Sequence, residues 1–109
     1  MFVGVALMAA CGGSEPVDCP NLSTTCPDPK PSYASDVRPI INARCTTCHS
    51  PGGQEPSRDF TTYGGVFQQR QAVLTQAYSC RMPPAGNAQP TTQERQTLVA
   101  WLVCGAPNN

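Results

Sequence analysis

Charge is scarce in this chain. Of its 109 residues 13 % are charged, about half the roughly 25 % of an ordinary globular protein. Seven basic residues balance seven acidic ones. There is no basic stripe, so recognition of nucleic acid through its phosphates is excluded. Aromatics are few as well: three Phe, three Tyr and one Trp, too little for a large enzyme core. The single histidine leaves no second imidazole for a Ser-His-Asp set. Paired carboxylates in an apolar pocket are also lacking, since Glu55 and Asp59 fall in a polar stretch without periodicity. No apolar run reaches the ~20 residues that span a bilayer as a helix. What is abundant is Pro, with 12, Gly, with 9, and Cys, with 7. A domain this small needs staples, metals or cofactors to hold its core.

The apolar residues 1–10, MFVGVALMAA, read as the core of a secretory signal. Leu7-Met8-Ala9-Ala10-Cys11 resembles a bacterial lipobox, which implies cleavage before Cys11 and acylation of its thiol. The alternative is a plain signal peptide. Either reading places the mature chain outside the cytoplasm, where disulfides persist. Residues 11–32 read as a Pro-rich tether, because Pro16, Pro20, Pro27, Pro29 and Pro31 forbid regular helix. Cys19 and Cys26 lie within it, close enough in sequence for a small local disulfide loop.

Residues 33–109 form one domain and carry three helical patterns. The first is capped at Ser35 or Asp36, with Pro39 in its first turn and Val37, Ile40 and Ile41 on one apolar face. The second runs from about Thr62 to Tyr78, with Tyr63, Val66, Phe67, Val73, Leu74 and Ala77 at three- and four-residue steps. Gly64 and Gly65 weaken its start and move the expected beginning towards Val66. The third opens on the capping box Thr91-Thr92-Gln93-Glu94, buries Leu98, Trp101 and Leu102, and stops at Gly105 and Pro107. No convincing strand alternation exists, so the fold class is all-α.

The chemistry concentrates at Cys45-Thr46-Thr47-Cys48-His49. With seven cysteines a C-x-x-C arises by chance about 0.4 times in such a chain, and the same motif followed by the only histidine about 0.004 times. Two thiols one helical turn apart can bond the two vinyl groups on one edge of a haem. The next residue then presents its imidazole to the iron. A thioredoxin-like site would need a preceding strand. A zinc site would draw on Cys45, Cys48, Cys80 and Cys104, or on His49 with three of them, but Cys80 and Cys104 are not a second close pair. Met82 is the one methionine outside the signal segment, since Met1 and Met8 lie within it. It precedes Pro83-Pro84, which fix a non-helical loop, and a thioether there suits the second axial position.

On these residues, with Asp36-Val37-Arg38-Pro39-Ile40-Ile41 ahead of the cysteine pair and Trp101-Leu102 near the end, residues 33–109 resemble a monohaem c-type cytochrome domain of a bacterial lipoprotein. The resemblance implies about three helices packed around one covalent haem c, with the segments around Ile40 and Trp101 crossing. It also implies a carbonyl at Pro51 that accepts the His49 Nδ1–H. Arg44, Arg81 and Tyr63 are candidates for the haem propionates.

With Cys11 lipidated and Cys45 and Cys48 on haem, four cysteines remain. The most local pairing is Cys19–Cys26 with Cys80–Cys104, the latter bracing the Met82 loop against the last helix. The expected function is single-electron transfer by a His49/Met82-ligated haem. It is exercised on redox partner proteins from a lipid anchor on the periplasmic or cell-surface side of a membrane, with no enzymatic role. The alternatives are a haem enzyme or a gas or peroxide sensor with a labile Met82, and a disulfide-rich binding module without haem.

Overall fold

The computed structural model describes residues 19–109. The expected signal segment and the lipidated Cys11 lie outside the described residues. Within them the chain is helical and has no strand.

Winding starts at Tyr33, earlier than Ser35 or Asp36 would set it. Ser32 is the cap: its hydroxyl accepts from the Ser35 N–H at 3.1 Å while the Asp36 carboxylate accepts from the Ser32 N–H at 2.8 Å. This reciprocal pair satisfies two orphan donors of the first turn. Tyr33–Val37 is a π-helical turn that runs directly into α1, Arg38–Arg44. The expected second helix is two. α2, Tyr63–Gln68, and α3, Arg70–Tyr78, meet at Gln69, whose φ of −102° and ψ of 15° leave the helical well. Thr62 caps α2 by accepting from the Gly65 N–H at 3.1 Å, so the helix includes both glycines. Gly65 is required there because a Cβ would collide with the Asp59 carbonyl oxygen.

α4, Thr92–Val103, begins as its sequence dictates. The Thr91 hydroxyl accepts from Glu94 N–H at 3.0 Å, and the Glu94 carboxylate accepts from Thr91 N–H at 2.9 Å. The helix ends before Gly105, whose φ of +97° suits glycine best.

The core joins Val37, Ile41, Phe60, Val66, Ala77, Leu98, Val99, Trp101 and Leu102. α3 packs along α4, and the π turn packs on α4. Trp101 is fully buried. Its ring lies 5.5 Å from Tyr33 and 6.4 Å from Tyr63, centroid to centroid. Its Nε1–H donates to the Pro107 carbonyl at 2.9 Å. The first and last helical segments therefore meet through Tyr33 and Val37; Ile40 faces the cavity described below.

Residues 19–32 have no regular structure, as their prolines require. They are nevertheless a strap laid on the domain. Leu22 is buried in the core, and Ser23 exchanges two hydrogen bonds with the Gln96 side chain, at 2.8 and 3.0 Å. Two disulfides join Cys19 to Cys80 and Cys26 to Cys104, which corrects the expected Cys19–Cys26 and Cys80–Cys104. An extended strap advances ~3.3 Å per residue, so Cys19 and Cys26 stand too far apart for the 4.4–6.8 Å Cα spacing a disulfide needs. Each instead meets a helix end, Cys80 after α3 and Cys104 after α4, at Cα spacings of 5.6 and 4.9 Å.

Candidate functional site

α1 ends at Arg44, and the next five residues turn the chain so that Cys45, Cys48 and His49 face one cavity of about 470 Å³. Met82, Pro83 and Pro84 line the same cavity from the loop after α3. Ile40, Val73, Ala77 and Leu98 supply apolar wall. The volume falls in the range of about 300–1,000 Å³ typical of ligand and cofactor sites.

His49 is buried, and its ring stacks on Phe60 with centroids 4.5 Å apart and planes 28° from parallel. Phe60 is tied back by its N–H to the His49 carbonyl at 2.8 Å. The loop between them is closed by Glu55 N–H to Cys48 O at 2.8 Å. Gly53 allows that close approach, since a Cβ there would collide with the Cys48 carbonyl. His49 Nδ1 is buried and has no hydrogen-bond partner among the described residues. The Pro51 carbonyl does not accept from it. The Arg58 backbone approaches the imidazole and raises its basicity, without reaching Nδ1 in ordinary hydrogen-bond geometry. Desolvation outweighs this and lowers the pKa of His49 below the usual 6.5, so the ring is neutral at neutral pH and keeps a lone pair for a metal.

Cys45 is a free thiol, pushed up to about 11 by burial, with the Arg95 charge pulling the other way. Cys48 is disulfide-bonded. Cys80 and Cys104 are consumed by the strap, so the zinc set of Cys45, Cys48, Cys80 and Cys104 does not assemble. No cluster of three or more His, Cys, Asp or Glu suited to a metal ion occurs among the described residues.

Of the propionate candidates, only Arg44 lines the cavity. It is ion-paired with Glu94 at 3.1 Å, which ties α1 to the first turn of α4. Tyr63 points into the aromatic core and donates to the Ala106 carbonyl at 2.6 Å. Arg81 is exposed and does not line the cavity.

Two site residues escaped the sequence reading. Phe60 sits in a stretch with no periodicity to mark it. Arg95, only 3 % exposed, lies in the cavity wall. It stands three and seven residues before Leu98 and Leu102, on the apolar stripe of α4, and a charge on that stripe was the signal.

No protein-family model, curated protein or solved structure matches this chain.

Proposed function

We propose that residues 33–109 hold one c-type haem and pass single electrons to and from redox partner proteins. The observation that carries the reading is that Cys45, Cys48, His49 and Met82, drawn from two separate loops, line one largely apolar cavity. Their donor chemistry fits the group: two cysteine sulfurs for thioether bonds, a neutral imidazole and a thioether sulfur. When bound, the haem supplies one-electron iron chemistry, with a potential raised by methionine relative to bis-histidine ligation.

The chain's own residues do the rest. Phe60 fixes the plane of the His49 ring by stacking. The apolar walls exclude water. Cys48 would hold haem only once its disulfide is reduced, two thiols of a reductant giving their hydrogens to the bonded sulfurs and becoming a disulfide themselves. Cys45 and Cys48 would then hold the group through thioether bonds. His49 and Met82 would both hold the iron, an arrangement that suits a carrier over an enzyme. The two disulfides accord with an oxidising compartment. We place the protein on the outer side of a bacterial membrane, held by a lipid on Cys11.

Expression beside c-type haem maturation machinery tests this. The expected product has a Soret peak, an intact mass that includes one haem, and a methionine–iron charge-transfer band. A colourless product sinks the reading in favour of a binding module. A coloured product without the band, and quick to bind carbon monoxide, turns it towards a sensor or enzyme.

A further inference from the structure

The loop that carries Met82 has almost no backbone bonding of its own. Pro83 and Pro84 lack N–H groups, Met82 N–H reaches back to Gln76 O at 3.3 Å, and the one backbone bond with both ends in residues 82–90 is Asn87 N–H to Pro84 O at 3.1 Å. The loop's carbonyls turn instead to side chains: Asn87 Nδ2 donates to Pro84 O at 3.3 Å, and Arg95 and Gln89 supply the rest. Arg95 Nη1 donates to Met82 O at 3.1 Å and to Ala77 O at 2.9 Å, joining the loop to the end of α3. Arg95 Nη2 donates to Gln89 Oε1 at 3.0 Å. Gln89 Nε2 in turn donates to Pro83 O at 3.0 Å, Pro84 O at 2.9 Å and Asn87 O at 3.3 Å. Among the described residues no carboxylate pairs with Arg95, and Glu94, its neighbour in sequence, is paired with Arg44. A buried guanidinium without a counter-charge is costly, and here its compensation comes from the loop's own oxygens and amide.

We infer that Arg95, acting with Gln89, is the positioning residue that holds Met82 at the cavity, so that its sulfur stays on the iron. This rests on the haem reading above. It separates scaffold from ligand: Arg95 donates to Ala77, Met82 and Gln89 and to none of Cys45, Cys48 and His49, although its charge reaches Cys45, so covalent attachment of haem is expected to be independent of Arg95. The position of Met82 is not.

The test compares the parent holoprotein with Arg95→Gln and Gln89→Ala. Both variants should keep the Soret peak and the haem mass. Arg95→Gln should lose more than half of the methionine–iron band and bind carbon monoxide at least tenfold faster, with Gln89→Ala changing both in the same direction but less. A full-strength band in Arg95→Gln, with carbon monoxide binding within twofold of the parent, overturns the inference. If Arg95→Gln does not fold, Gln89→Ala decides it by the same criterion. A parent without Soret absorbance defeats the haem reading instead. Amide hydrogen exchange over residues 80–90 then carries the test in the same chains, where tenfold faster exchange in Arg95→Gln supports the clamp and unchanged exchange overturns it.

Discussion

The two halves of α4 face different surroundings. Towards its C-terminus, Trp101 is enclosed by Tyr33 and Tyr63, and its one polar atom is satisfied by the Pro107 carbonyl. Towards its N-terminus, Arg95 and Leu98 border the cavity, and a guanidinium does the joining that aromatic rings do at the other end. The C-terminal half is complete with protein atoms alone. The N-terminal half borders the cavity that Cys45, Cys48, His49 and Met82 also line. Aromatic packing and cavity lining are thereby divided along a single helix.

The largest expected effect comes from breaking the packed half. Trp101→Ala should cost about 3–5 kcal/mol, measured as a shift in denaturant midpoint of the metal-free chain. A loss below about 1 kcal/mol would mean that the aromatic cluster is not the stabilising half. Phe60→Ala, on the hollow side, should cost less, about 2 kcal/mol, because its void merges with existing space and adds little new cavity. In the holoprotein the same change should alter the His49-dependent spectrum, which Trp101→Ala should leave alone wherever it folds. Equal costs for the two substitutions would erase the distinction.

The smallest effect is a pH dependence confined to the cavity side. The folded pKa of His49 is depressed, so the unfolded chain binds the proton first as pH falls. Its stabilising contribution is fully present above about 6.5 and is lost as pH drops through the lower folded value. Between pH 7.5 and 5 the metal-free chain should lose stability, and His49→Gln should flatten that slope. An unchanged slope in the variant would assign it to other groups.

How much was legible follows from range. The capping box at Thr91 and Glu94 and the glycine stop at Gly105 are local chemistry, and both are present as read. Val37, Ile41, Leu98, Trp101 and Leu102 show their burial through helical spacing. The break at Gln69 was not legible, because no glycine or proline marks it. The disulfide partners were not legible either. Proximity in sequence favoured Cys19 with Cys26, whereas extended backbone separates them and folding brings distant helix ends to each. For the candidate site, the C-x-x-C-H spacing and the lone Met82 named four of the residues that line the cavity. Phe60 and Arg95, which orient two of them, act through tertiary contacts that no spacing encodes.

The two disulfides interleave: Cys26 lies inside the loop closed by Cys19–Cys80, and Cys104 lies beyond it. Any one peptide bond hydrolysed between residues 19 and 104 consequently leaves the fragments joined by at least one sulfur bridge. A protease that nicks this polypeptide in an oxidising milieu releases nothing, and the nicked molecule parts only when a reductant follows.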